Sequence, residues 1–359
     1  MRVLRTRLRD FRSYERAEAE LGDGLTVVVG PNGAGKTNLL EGVYFALTAH
    51  SCRTSNEREL VRIGAEVAWA EAEVDAEDGL HLLEVGFEPG ERKHLRIDGA
   101  AVERFGPGAP RPLVVVFLPE RLELVRSGPS LRRAHLDRFA AALRPALADL
   151  RSRYARALAQ RNALVARGAG HLLDPWDMEL AGLGWQLMEA RRAAAGRLAE
   201  PFARLGEELG LPERPKLAYR PRSHADGPDG LREELRERRA ADIQRGFTAH
   251  GPHRDELHLA HAGRALRAFG SQGQQRIALL ALLLSEREIL LATHDRTPLM
   301  LLDDVMSELD GERRLRLAEL LRGGGQALVT ATEAEHVPGA GDSGVVTLTV
   351  GEGTLAMAA

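Results

Sequence analysis

Hydrophobic and polar positions divide the 359-residue chain into stretches of different period. Residues 1–30 alternate as strands do, with Val3, Leu4 and Leu8 early, and end in a short apolar run, Leu25 to Val29, closed by a glycine. From Lys36 the segment KTNLLEGVYFALTA takes a helical period, with Leu39, Leu40, Val43, Ala46 and Leu47 on one face and Gly42 as the only interruption. Alternation returns at Val67 to Val74 and Leu80 to Phe87 and predicts antiparallel strands. After Pro119 the pattern becomes long and helical, rich in Arg, Ala and Leu as far as about Ala241, with breaks expected near 168–175, 201 and 212–230 where Pro and Gly fall. In its first long helix Leu147, Leu150, Tyr154, Leu158 and Leu164 form an apolar seam, and Arg153, Arg156 and Arg167 fall opposite. Strand and turn signals resume at Gly251, followed by a helix over Gln274 to Ala292, a buried strand Pro298 to Leu302, another helix and a strand Gln326 to Val329.

Composition narrows the class. A chain that is 44% hydrophobic with a net charge of −3 is neither disordered nor fibrous, and its length suits two domains or one large domain with an insertion. One cysteine, Cys52, excludes an internal disulfide. The N-terminus lacks the apolar stretch of a secretion signal, and the longest apolar run, Ile277 to Leu284, is far shorter than the roughly 20 residues of a membrane span, so a cytoplasmic location without membrane segments is expected. Of the 49 basic residues only Lys36, Lys93 and Lys216 are lysines.

One of those lysines lies in a motif. Gly30 to Thr37 reads GPNGAGKT between a buried strand and a helix, the context of a P-loop. Gly30, Pro31, Asn32, Gly33, Ala34 and Gly35 would wrap a polyphosphate with backbone N–H groups, Lys36 would reach the β- and γ-phosphates, Thr37 would ligate Mg²⁺, and Asn38 opens the helix beside them. Asp303 and Asp304 end the buried strand at Leu302. Asp303 suits the metal, and Asp304 the attacking water. Ser271, Gln272, Gly273 and Gln274 open a helix with a hydroxyl, a bare backbone and a positive dipole end, equipment for a second phosphate site, although Ser271 alone would serve equally as a helix N-cap. With SELD, Ser307 to Asp310, this set predicts ATP held between two subunits, each segment at 271–274 capping the partner's nucleotide.

GPNGAGKT, SQGQQ, LLDD and SELD, in this order, resemble the ABC-type ATPase heads of the SMC superfamily. Within it LRDFRSY (Leu8 to Tyr14), PERLELVRSGPSLRRAHLD (Pro119 to Asp137), GPHRDE (Gly251 to Glu256) and LLDDVMSELDGERRLRL (Leu301 to Leu317) resemble the bacterial RecF family of recombination mediators over nearly the whole chain. The resemblance implies an α/β P-loop ABC-type ATPase head with a helical insertion: residues 1–118 as the N-terminal part of the head, 119–250 as a helical arm, and 251–359 as the part carrying the signature, acidic pair and D-loop. It further implies ATP and Mg²⁺ as cofactors, an ATP-dependent homodimer, binding to duplex or gapped DNA, and action with RecR and RecO to load RecA at single-strand gaps. Asp304 is shorter by one methylene than the glutamate of fast ABC ATPases, so weak, slow hydrolysis is expected. Where transporter-type ATPases carry a switch histidine, this chain reads Val329-Thr-Ala-Thr332. A transporter ATPase subunit or another SMC-like ATPase shares the loop, signature and SELD, but the transporter reading leaves the FRSY opening and the helical insertion unexplained.

Total charge conceals two poles: eleven acids and two arginines from Glu57 to Glu91, nine arginines and two acids from Arg132 to Arg167. Arg132, Arg133, Arg138, Arg144, Arg151, Arg153, Arg156, Arg161 and Arg167 are the candidate contacts to DNA phosphates, with Arg5, Arg7, Arg9 and Arg12 next. An aromatic content of 4% disfavours base stacking and favours duplex backbone binding.

Overall fold

Alternating burial along the first twenty residues makes a hairpin of β1 (Arg2–Phe11) and β2 (Tyr14–Glu20) in the computed structural model, which describes residues 1–106, 108–294, 296–351 and 354–357. In chain order there follow β3 (Leu25–Val29), α1 (Lys36–Thr48), β4 (Ala68–Ala76), β5 (Gly79–Phe87), β6 (His94–Ile97), β7 (Ala100–Val102) and β8 (Val114–Phe117). Next are α2 (Glu123–Arg126), α3 (Pro129–Leu143), α4 (Leu150–Ala166), α5 (Asp174–Glu208), β9 (Lys216–Arg220), α6 (Pro228–Glu237) and α7 (Arg239–Arg245). The chain continues through β10 (Glu256–His261), β11 (Arg264–Ala265), α8 (Leu266–Phe269), α9 (Gln272–His294), β12 (Leu299–Leu302), α10 (Gly311–Arg322), β13 (Ala327–Ala331), β14 (Val346–Gly351) and β15 (Thr354–Met357). Two compact units result: Met1–Leu122 with Glu208–Gly210 and Arg287–Ala359, and Glu123–Glu207 with Leu211–Glu286.

The first unit holds two six-stranded sheets. One runs β15-β14-β3-β13-β12-β8, parallel except for β15, and the other runs β2-β1-β4-β5-β6-β7, antiparallel throughout. Leu39, Leu40, Val43, Phe45, Ala46 and Leu47 of α1 join both sheets in one core. Gly42 is required there, because a Cβ would stand 2.6 Å from the Leu8 methyls of β1. Gln326 ties the two sheets: its amide donates to the carbonyls of Val3 (2.6 Å) and Gly22 (2.9 Å), and its carbonyl accepts from Val3 N–H (2.8 Å).

Part of the acidic pole expected over 57–91 is neutralised locally, because basic β1 lies between acidic β2 and β4. Arg2 pairs with Asp75 (3.0 Å), Arg5 with Glu18 (3.0 Å) and Glu20 (2.8 Å), and Arg7 with Glu18 (3.3 Å) and Glu71 (3.7 Å). Arg12 pairs with the buried Glu41 (2.8 Å), and the Arg9 guanidinium lies 5.3 Å from the Trp69 ring centroid. The N-terminal arginines are therefore engaged within the sheet and its neighbours, which weakens them as phosphate contacts.

The second unit packs α3, α4 and α5 with a small sheet, β11-β10-β9. Residues 251–286, expected with the head's C-terminal part, belong here instead. The reason is long-range pairing: β10 takes β9 as its neighbour (Leu257↔Tyr219), Arg132 pairs with Glu256 (2.8 Å), and Arg191 reaches Asp255 (3.4 Å). Nor does the chain break at Pro201; α5 runs through it, with Leu198, Phe202 and Leu205 buried on either side. Burial of that face outweighs the missing helical hydrogen bond.

Along α4 the buried positions are Leu150, Tyr154, Ala157, Arg161 and Val165, so an arginine stands in the apolar seam. Arg161 is 0% exposed and donates to Asp177 (2.7 Å), Asp242 (2.8 Å), Thr248 (2.7 Å) and the Leu235 carbonyl (3.3 Å). Removing one partner of such a pair strands the others in low dielectric. Arg161→Ala is expected to destabilise the protein by about 3–5 kcal/mol, read as a lower urea midpoint; a midpoint unchanged from wild type would contradict the assignment.

Candidate nucleotide site

Three neighbouring parallel strands, β3, β13 and β12, share one register (Val27↔Val329, Leu302↔Val329), β12 ending two residues before the other two, and the candidate site is built on those ends. Beyond β3 the loop turns through Gly33 (φ 82°) and Gly35 (φ 117°), backbone conformations that favour glycine. Pro31, Asn32 and Gly33 are exposed, whereas Gly30, Ala34, Gly35 and Lys36 are buried. The Lys36 ammonium donates back to the carbonyls of Gly30 (2.7 Å) and Pro31 (3.0 Å), which holds it inside the loop. Burial lowers it below its ordinary basicity, and the carboxylates of Asp304 and Asp303 oppose that shift.

Asp303 is 6% exposed. Thr37 places its hydroxyl 2.8 and 3.0 Å from the two carboxylate oxygens, and Thr330 donates to Oδ1 at 2.7 Å. Burial raises the Asp303 carboxyl, and those two hydroxyl hydrogen bonds counter it. Asp304 has left-handed backbone (φ 47°), and among the described residues its Oδ1 is buried without a hydrogen-bond partner. Hydroxyl and carboxylate oxygens together form a hard, all-oxygen donor set, and with the unpaired Oδ1 beside them the residues fit a Mg²⁺ ion held chiefly by Thr37 and Asp303.

The FRSY segment braces the loop from outside. Tyr14 donates its hydroxyl to the Gly35 carbonyl (3.0 Å), Asn38 donates to Ser13 Oγ (2.9 Å), and Arg53 donates to Asn38 Oδ1 (3.2 Å). Burial pushes the Tyr14 phenol up, so it remains a donor. These braces and Thr330 escape sequence reasoning, because their partners lie far along the chain. The only local signal is the polar Arg-Ser-Tyr turn between two strands.

Of the remaining candidates, Ser307 donates to the Asp304 carbonyl (3.1 Å), and Asp310 caps α10 by accepting from Arg313 N–H (3.0 Å). Ser271 to Gln274 lie in the second unit. There Ser271 and Gln274 form a reciprocal capping box: Ser271 Oγ accepts from Gln274 N–H (3.3 Å), and Gln274 Oε1 accepts from Ser271 N–H (2.9 Å). Gln272 is exposed and Gly273 partly so.

The proposed DNA arginines divide. Arg132 and Arg161 are buried and structural: besides Glu256, Arg132 donates to the carbonyls of Leu124, Val125 and Ser127. Arg133 is half-buried and donates to the Asp255 carbonyl (2.8 Å). Arg138, Arg144, Arg151, Arg153, Arg156 and Arg167 are exposed, Arg151 standing 3.9 Å from Asp137. Among the described residues no helix is long and apolar enough to cross a membrane.

Comparison with known proteins places this geometry. The model of an AAA domain matches residues 5–92. The DNA replication and repair protein RecF of Streptomyces avermitilis is 38% identical, over 94% of this chain and 95% of its own. The chain belongs to the RecF family. A solved structure of the recombination mediator protein RecF with ATP, in the RecFOR pathway, superposes with a TM-score of 0.86 at 27% identity, covering 99% of both chains. The SMC head bound to the C-terminal winged-helix domain of ScpA shares the fold, with a TM-score of 0.61 at 15% identity over 100% of this chain and 97% of its own. As a RecF-family member the chain is a DNA replication and repair protein with a P-loop ATPase fold, as the motifs imply.

Gly35 offers a sharp test of the loop. An alanine there would place Cβ 2.9 Å from Ser13 Oγ and 3.0 Å from Tyr14 Oη, at a φ of 117°. Gly35→Ala is expected to weaken ATP binding by roughly 10-fold or more, measured by titration with a fluorescent ATP analogue. Wild-type affinity in that variant would show that the loop does not hold the nucleotide in this conformation.

Proposed function

We propose that this chain is an ATP-dependent DNA clamp: it binds ATP with Mg²⁺ at the P-loop, pairs with a second copy across the two nucleotides, engages duplex or gapped DNA, and hydrolyses ATP slowly to let go. The observation that carries this reading is the convergence of Lys36, Thr37, Asp303 and Asp304 at the ends of adjacent parallel strands. Gly30 to Gly35 and the start of α1 supply backbone N–H groups for the phosphates, and Lys36 adds a compact positive charge. Mg²⁺, held by Thr37 and Asp303, would neutralise phosphate charge. Asp304 orients the attacking water. Its short side chain sits on constrained backbone, in keeping with turnover below the typical enzyme median of about 10 s⁻¹.

Ser271 supports the sandwich dimer. Its oxygen already accepts from Gln274 N–H, so its hydroxyl proton is left for a phosphate oxygen of the partner's nucleotide, beside Gly273 and the positive end of α9. Sedimentation with and without a slowly hydrolysed ATP analogue tests this. A monomer-to-dimer shift on adding the analogue is expected, and Ser271→Arg should abolish it while preserving nucleotide binding; a monomer under both conditions would sink the sandwich reading.

DNA is engaged through the exposed arginines of the second unit, and the family supports RecR and RecO as partners, with RecA loading as the consequence. Replacing Arg151, Arg153 and Arg156 with alanine is expected to weaken duplex binding and to flatten the dependence of log affinity on log salt by up to about 0.9 for each phosphate that is no longer neutralised, with ATP affinity intact. Unchanged binding and slope would exclude this face.

A further inference from the structure

We infer that Thr330 is a positioning residue of the nucleotide site, setting both carboxylates of the acidic pair at once. The inference rests on the ATP-site reading above. Backbone hydrogen bonds to both neighbouring strands hold β12. Along that strand the backbone donors alternate between neighbours: Leu299 N–H bonds to Leu113 O (2.8 Å) on the β8 side, Met300 N–H to Gln326 O (3.0 Å) on the β13 side, and Asp303 N–H to Phe117 O (3.0 Å) on the β8 side again. The next donor toward β13 is Asp304 N–H, and it bonds to the hydroxyl of Thr330 (2.9 Å) in place of a main-chain carbonyl. The sheet ladder thus ends on a side chain where Asp304 turns left-handed (φ 47°).

The direction of that bond fixes the next one. An amide only donates, so Thr330 Oγ1 accepts from Asp304 and its single proton is left for Asp303 Oδ1, 2.7 Å away. Thr330 is fully buried, so no water substitutes for either bond. With Oδ1 held by Thr330, Asp303 Oδ2 faces the Thr37 hydroxyl at 2.8 Å, the direction from which Thr37 and Asp303 would share a cation. One hydroxyl therefore orients the carboxylate of Asp303 and anchors the backbone from which Asp304 projects.

The test uses the full chain and reads ATP binding with a fluorescent analogue, with and without Mg²⁺, alongside steady-state hydrolysis and thermal unfolding. Thr330→Val preserves shape and removes the hydroxyl. Expected are an unchanged ATP affinity without Mg²⁺, since the P-loop is untouched, and a roughly 10–100-fold loss in Mg²⁺ affinity and in kcat. Thr330→Ser, which keeps the hydroxyl and loses the methyl, should restore most of both, while Thr330→Ala should not. The Ser and Ala pair isolates the hydroxyl even where Thr330→Val folds poorly. Wild-type Mg²⁺ dependence and kcat in a folded Thr330→Val or Thr330→Ala chain overturn the inference, as does a Thr330→Ser variant as impaired as Thr330→Ala. Failure of the underlying reading looks different: Lys36→Ala would bind ATP as the wild type does, and both proposals would fall together.

Discussion

A carboxylate taken out of water must be compensated by hydrogen bonds, and Asp303 is the place where this chain meets that requirement. Its partners come from three elements. Thr37 arrives from the first turn of α1, Thr330 from the end of β13, and the main chain of Asp303 is held by Phe117 at the end of β8. None of these bonds forms unless β8, β12, β13 and β3 keep their parallel register, which aligns Phe117 with Leu302 and Leu302 with Val329. A slip of one residue would point the carboxyl into the opposite face of the sheet. Satisfying one buried acid thus fixes the relative heights of the strand ends, and with them the place of Lys36 and the loop.

The second unit meets the same requirement with the signs reversed. Arg191 donates to both oxygens of Asp137 (2.7 and 2.9 Å) and to the Pro252 carbonyl (2.6 Å), and Asp255 accepts from Tyr219 and from Arg222 N–H (2.7 Å). These contacts give GPHRDE a structural meaning: its aspartate is a buried hub that binds the small sheet to α5. Burial raises the Asp255 carboxyl, and the hydrogen bonds from Tyr219 and Arg222 pull against that shift, with Arg191 adding to them. Holding charge in a core of this kind is a matter of geometry, since any member left alone is destabilising.

What the sequence discloses follows from the range of each interaction. The P-loop, the acidic pair and α1 are written in fixed local offsets, and they stand where the pattern places them. The arginines are harder because a window count of charge ignores direction. Arg161 lies seven residues after Tyr154 and four before Val165, the seam's own spacing, so the helical period already carries the information that it faces inward. The pairing of Arg5 with Glu20 and of Arg7 with Glu18 depends on hairpin register, which composition does not encode. The boundary between units is hidden for a similar reason, since β10 finds its partner β9 across two helices. At Val329-Thr-Ala-Thr332 the absence of a histidine is legible and the role of the threonine is not, because the partners of Thr330 lie 26 and 27 residues back along the chain.

β13 shows how position is kept at the site. Just before it, Gln326 clamps the first residues of β1; near its end, Thr330 clamps the acidic pair; between them run Ala327, Leu328 and Val329, all buried. The strand is thus fixed by polar contacts at both ends and by packing along its length, so the hydroxyl at 330 has little freedom to drift. Left-handed backbone at a non-glycine residue such as Asp304 costs roughly 1–2 kcal/mol and persists only where its surroundings over-determine it. Here the surroundings are that strand. The exposed Pro31, Asn32 and Gly33 stay open to an entering phosphate, while the groups that must not move are carried by the sheet, the division of labour expected of a preorganised electrostatic site.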